Sequence, residues 1–229
     1  MPTAKPVFGR DTFDFFRQLG TNNKKVWMDA NRERYKASVV EPLRRLLEEL
    51  TPAILELDDR FDVSGRTGAN FSRINRDIRF AKDKTPYKSQ MYLKFQVPWS
   101  RDGETGQLYV GISSDTVTAG FRLYSGGKRK ESAIALVAQP RVLANPQWVA
   151  HQKKRLAKKY ESYWYTTEKG EWTKHQGWPT GSAGWKRMQA WIVRKKVRPS
   201  AATSASFPKE VAKMFRDVYP LLKFTSIPE

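Results

Sequence analysis

"QLYVGISSDTVTAGFRLY", residues 107–124, decides the architecture. Over 107–113 and again over 117–124, apolar residues alternate with polar or small ones or run together, and the short "SSD" lies between. That pattern predicts two strands joined by a tight turn. Upstream, "MYLKFQV" (91–97) has the same texture and is separated from the first strand by the Gly-rich "RDGETG" (101–106). The three strands together predict an antiparallel meander.

The periodicity on either side is helical. Asp11 and Asp14, then Phe15, Phe16 and Leu19, closed by Gly20, predict a short capped helix. Asn22 or Asn23 is placed to cap "KKVWMDANRERYKASVV" (24–40), with Val26, Trp27, Ala30 and Tyr35 near one face. Ser38 to Glu41 has capping-box spacing, so a further helix is expected there, with Pro42 in its first turn or at a kink. Leu43, Leu46, Leu47, Leu50, Ile54 and Leu57 form the i, i+3, i+4 stripe of a core-facing helix. After the meander, 131–143 and 146–160 read as helices, and "YWYTTEKGEW" (163–172) as a hairpin about Lys169-Gly170. Residues 173–206 read as irregular, with "SAATSAS" (200–206) a loop, and "PKEVAKMFRDVY" (208–219) as a last helix. The expected fold is α+β. N-terminal helices pack on a central, mainly antiparallel sheet, followed by a helical, Trp-rich, basic C-terminal region, all in one domain over 1–229.

No apolar run reaches the roughly 18–20 residues that span a bilayer, and "MPTAKPVFGRD" has no apolar h-region, so neither a membrane span nor a secretory signal is expected. The chain has no Cys, which excludes disulfides, thiolate metal sites and a Cys nucleophile, and a cytoplasmic location is expected. Its net charge is +19, with a pI near 10.1, which favours phosphate polymers, anionic surfaces or acidic proteins as partners. The excess is uneven: residues 151–200 carry 13 basic and 3 acidic side chains, whereas 1–60 carry 11 and 10.

The second concentration of charge is "RINRDIRFAKDKTPYK" (73–88), with six Lys/Arg against Asp77 and Asp83. With "NNKKVWMDANRERYKASVVEPL" (22–43), and with "LYVGIS" followed by "GFRLYSG" in the meander, it resembles the DUF2461 family, a group of mainly microbial proteins of about this length. The resemblance runs over about residues 10–145; 146–229 is more basic and richer in Trp than it would imply. It implies a DUF2461-like domain and a characteristic set of Arg73, Arg76, Asp77, Arg79, Phe80, Asp83, Lys84 and Tyr87. It implies no activity.

Read as a strand, "RINRDIRF" puts Arg73, Asn75, Asp77 and Arg79 on one face and Ile74, Arg76, Ile78 and Phe80 on the other. Asp77 is then expected to contact Arg73, Arg76 or Arg79. Three readings stay open: an internal ion-pair network, an anion pocket drawing on Arg73, Arg76, Asp77, Arg79, Lys82, Asp83, Lys84, Tyr87 and Lys88, and a catalytic site with Asp77 as general base. Elsewhere catalytic signals are weak. His occurs only at 151 and 175, and no metalloprotease, phosphate-loop, nucleophile-elbow or dinucleotide fingerprint is present. The glycines of "YSGGKRKES" (124–132) are a weak phosphate-cradle signal. Asp58, Asp59, Asp62, Asp77 and Asp83 fit no nuclease spacing, so neither metal nor other cofactor is expected.

In 151–200, tryptophans at 164, 172, 178, 185 and 191 are interleaved with the basic residues, a combination suited to phosphates and unpaired bases. The nucleic-acid candidates are Lys153, Lys154, Arg155, Lys158, Lys159, Trp164, Lys186, Arg187, Arg194, Lys195, Lys196 and Arg198, although at least three of the tryptophans are expected in a core. Polyanion binding, nucleic acid first, is the leading expectation. The alternatives are an enzyme acting on a phosphorylated or nucleotide-like substrate and a module that meets an acidic protein. The sequence sets no oligomeric state.

Overall fold

A computed structural model describes residues 5–97, 106–124 and 133–226. Most of the "RDGETG" turn and of the "YSGGKRKES" segment lies outside them. The N-terminal helices are α1 (Arg10–Thr21), α2 (Lys25–Ala30), α3 (Arg32–Tyr35), a π-helical turn (Lys36–Val40) and α4 (Glu41–Leu57). The meander follows as β1 (Met91–Phe95), β2 (Gly106–Ile112) and β3 (Val117–Tyr124). Then come α5 (Ala133–Ala144), α6 (Pro146–Leu156), β4 (Glu161–Glu168), β5 (Glu171–Gln176), α7 (Gly181–Arg187), β6 (Ala190–Val197), α8 (Pro199–Ala202) and α9 (Phe207–Ser226). The strands form one antiparallel sheet in the order β1-β2-β3-β6-β4-β5, and the class is α+β. By contact density the chain divides into two compact units, one built on segments up to 95, 110–119 and 196–213, the other on 96–109, 120–195 and from 214 onward.

In the first unit the helical stripes bury the expected Phe15, Phe16 and Leu19 of α1, together with Phe13, and the expected Leu43, Leu46, Leu47, Leu50 and Ile54 of α4. The segment between them differs from its expected form. Asn31 breaks it into α2 and α3, and Met28 is buried where Val26 is 81% exposed. Neither Asn22 nor Asn23 caps α2; the N-cap is Lys24. Ser38 forms no capping box, because its hydroxyl donates back to the Arg34 carbonyl at 2.6 Å and the chain runs on through the π turn into α4. Pro42 is the second residue of α4, directly after the π turn.

The second unit holds the largest departure from expectation. Residues 173–206 are ordered into β5, α7, β6 and α8. β6 is an interior strand, with Tyr163 opposite Ile192 and Trp164 opposite Trp191 in its antiparallel pairing with β4. The β4–β5 hairpin turns at Lys169 (φ 51°) and Gly170 (φ 85°), the left-handed pair that matches strand twist. Gly120 is required: a Cβ there would lie 2.2 Å from the Val193 carbonyl oxygen of β6. Behind the sheet Trp191 is fully buried, with Phe121, Trp178 and Trp185 packed edge-on around it.

Candidate anion-binding pocket

The pocket lies within the first unit and begins with a buried amide. Asn70 is fully buried; its Oδ1 accepts from the Gly65 N–H at 2.8 Å, and its Nδ2 donates to the carbonyls of Asp62 (2.6 Å) and Lys94 (3.1 Å). These bonds fold 65–70 back so that 70–72 lies along β1, with the Lys94 N–H donating to the Asn70 carbonyl and the Ser72 N–H to the Tyr92 carbonyl. Along this stretch Phe71 is buried, and Arg73, two residues on along the same face, is exposed. Facing this stretch, α3 supplies Arg32 and Tyr35, and the start of α4 supplies Leu43 and Arg44. With Val40, Thr67, Ser72, Ile74, Asn75 and Met91 they enclose a cavity of about 320 Å³.

Three guanidinium groups line this cavity and no carboxylate does. Arg32 and Arg44 each have a carboxylate partner three residues upstream, Asp29 of α2 at 2.9 Å and Glu41 of α4 at 3.9 Å. Exposed pairs of this kind are weak and leave the guanidinium open to a competing anion. Among the described residues Arg73 has no carboxylate within ion-pair distance. Burial, and then the charge of Arg73, hold the Lys88 ammonium below the usual lysine range, so a further cation stands near. Burial pushes the Tyr35 phenol up to about 12.

The rest of the basic motif has another use. It is not a strand. A single bridge, Asn75 opposite Tyr87, closes a loop, flanked by Arg76 N–H to the Pro86 carbonyl (2.9 Å) and Lys88 N–H to the Ile74 carbonyl (2.8 Å). Asn23, freed from capping, clamps the base: its Nδ2 donates to the Tyr87 carbonyl at 2.9 Å and its Oδ1 accepts the Tyr87 N–H at 3.0 Å. As expected, Asp77 contacts an arginine: it takes Arg79 in a two-point pair at 3.0 and 2.7 Å. Asp83 pairs with Arg76 and accepts the Thr85 N–H, and this backbone bond is the first cause that brings its carboxyl down to about 2. The Lys84 ammonium donates to the Ile78 carbonyl at 3.0 Å. Lys82 is exposed, and Phe80 is 95% exposed at the loop tip. The motif thus divides. Arg73 joins the pocket and Lys88 stands by it, Tyr87 is buried at the loop base, and Arg76, Asp77, Arg79, Asp83 and Lys84 brace the loop.

Arg32 and Arg44 were not among the sequence candidates. Each lies in an ordinary helical charge pattern, and only the tertiary fold brings them to Arg73.

The second basic region is likewise partitioned. Arg155 donates to Gln152 Oε1 (2.7 Å) and to the Asp217 carbonyl, Arg187 pairs with Glu168, and Arg194 pairs with Glu161. Lys195 lies 4.8 Å from the Tyr160 ring centroid. Trp164 is only 8% exposed and stacks on His175 at 4.3 Å, so it offers no free ring face to a base. Lys153, Lys154, Lys158 and Lys159 are exposed on and just after α6; Lys186, Lys196 and Arg198 are also exposed. His151 is a surface residue of α6. Asp58 and Asp62, like Asp77 and Asp83, each pair with an arginine, and among the described residues no acidic or histidine cluster is arranged for a metal ion.

The fold and the site define a basic α+β protein with an arginine-lined pocket. The family model described as "Conserved hypothetical protein (DUF2461)" matches residues 11–224, and the chain belongs to that family. The match runs well beyond residue 145, where the motif resemblance stops, as the position of β6 inside the sheet requires. No curated protein matches the chain. Among the described residues no helix is long and apolar enough to cross a membrane.

Proposed function

We propose that this protein binds a small anion, carried by a phosphate or carboxylate group, in the pocket of Arg32, Arg44 and Arg73. The observation that carries the reading is three guanidiniums around one cavity with no carboxylate in its lining. Planar guanidiniums match such oxyanions in two-point contacts. The lining holds no carboxylate or imidazole to move a proton near neutrality, and the Tyr35 phenol titrates too high, which supports binding rather than turnover. Calorimetric titration with inorganic phosphate and with phenyl phosphate tests it. A charged hydrogen bond contributes about 1.5–3 kcal/mol, so Arg73→Gln should weaken binding roughly ten- to a hundredfold. Equal affinity of the wild type and Arg73→Gln overturns the assignment.

A second reading is favoured by a separate observation. Lys153, Lys154, Lys158 and Lys159 are exposed and have no ion-pair partner among the described residues, while neighbouring arginines are engaged internally. We read this lysine stretch as a polyanion surface, with nucleic acid as the first candidate and an acidic protein as the alternative. Affinity for oligonucleotides should then fall steeply with salt, and replacing all four lysines should flatten the slope. A slope unchanged by that variant refutes it.

A further inference from the structure

The sheet face of the second unit carries a group of rings and cations that neither the pocket nor the lysine stretch uses. Trp172 of β5 stacks on Tyr124 of β3, with centroids 5.4 Å apart and planes 14° from parallel, and Tyr165 of β4 meets Trp172 edge-on at 5.9 Å. β3 and β5 are not neighbours in the sheet. The β6 ladder on β4 ends at the Tyr165–Ala190 pair, so the stack closes past the end of β6. Cross-strand aromatic pairing alone stabilises a hairpin. It does not account for what is left open: Tyr124 is 54% and Trp172 41% exposed, the two most exposed large aromatics among the described residues apart from Phe80.

Cations lie on the same face, about the neighbouring Tyr163 ring, which meets Tyr165 edge-on at 5.8 Å. The Lys174 ammonium is 4.1 Å and the Arg194 guanidinium 5.0 Å from the Tyr163 ring centroid. Register confirms the shared face: Lys174 is opposite Tyr165, and Tyr163 is opposite Ile192, two residues before Arg194. Glu161 neutralises Arg194 in part, and Lys174 is exposed with no ion-pair partner among the described residues. Surrounding charge has the same sign, since residues 151–200 hold 13 Lys/Arg against 3 Asp/Glu.

We propose that this face binds single-stranded nucleic acid, with Trp172 and Tyr124 stacking unpaired bases and Lys174 meeting the phosphates. The inference rests on the polyanion reading and narrows it to a strand whose bases are free, because paired bases present edges rather than faces. The neighbouring cations supply the sequence-independent attraction, and the rings supply the preference for single strands.

Fluorescence anisotropy with labelled oligo(dT) and a matched duplex at low salt tests it. Stacking is worth enough that Trp172→Leu with Tyr124→Leu should weaken oligo(dT) by about tenfold or more. Duplex affinity should change by less than about twofold. If the double variant binds both as the wild type does, or loses both equally, the aromatic face is not the site, while the polyanion reading survives. No binding of either oligonucleotide overturns both. A second measurement on the unaltered chain is independent of the variant's folding. Photocrosslinking to a bromodeoxyuridine oligonucleotide should label peptides holding Tyr124, Tyr165 or Trp172, and labelling confined to other peptides refutes the proposal.

Discussion

Replacing Asn70 by Ala tests whether a single buried amide holds the pocket wall in place. In the native fold its side chain is fully buried and makes three hydrogen bonds: one accepted from Gly65 N–H, and two donated to the carbonyls of Asp62 and Lys94. Ala makes none of them and leaves those backbone groups without their partner. At about 1 kcal/mol for each bond, rising where a buried group stays unpaired, the loss comes to about 3 kcal/mol. For a chain of this size that lowers Tm by roughly 6–12 °C. Circular dichroism melts and urea titrations of both proteins read it. Asn70→Asp is the sharper variant: it keeps the shape but points a carboxylate oxygen at two carbonyls, so it should cost at least as much at pH 7. Because Asn70 sets the path of Phe71 and Arg73, Asn70→Ala should also weaken phosphate binding in whatever fraction stays folded. A loss under about 1 kcal/mol, or an Asn70→Asp protein as stable as the wild type, would falsify the reasoning.

Three further outcomes are expected. Gly120→Ala should destabilise the sheet by roughly 1–3 kcal/mol or more, since its Cβ would meet the Val193 carbonyl at 2.2 Å; a melt that matches the wild type contradicts this. Phe80→Ser should leave stability within about 0.5 kcal/mol, because the ring is 95% exposed, and a large loss would place Phe80 in contacts the structure lacks. Asp83, whose carboxyl is lowered from 3.8 to about 2, stabilises the loop fully above pH 3.8, and that contribution is lost as pH falls toward 2. Carbon NMR of its carboxyl should show a midpoint near 2, and one near 4 would mean that the Thr85 and Arg76 bonds are not formed in solution.

The meander and the leucine stripe of α4 were legible because their signals are local: period two in one, i, i+3, i+4 in the other. β6 was not. "AWIVRKKV" has four apolar residues followed by cations, without alternation, and it becomes a strand only through partners such as Glu161, 33 residues away from Arg194. The motif at 73–88 misled for a different reason. Its exposure does alternate from Arg73 to Arg79, as in a strand, but only one bridge pairs it, and Asp77 and Asp83 bond locally in place of a ladder. Charge counting along the motif anticipated a surplus of cations. It could not say that the surplus lies at Arg73 and Lys88, or that Arg32 and Arg44 complete the set from helices some thirty to forty residues upstream.

A crystal of the protein soaked in tungstate, a tetrahedral oxyanion located by its anomalous scattering, tests the pocket most directly. A tungsten peak is expected in the cavity, with its oxygens within about 3.2 Å of the Arg73 guanidinium and of at least one of Arg32 and Arg44. Tungstate bound only along the lysines at 153–159, with the cavity free of it, would contradict the assignment.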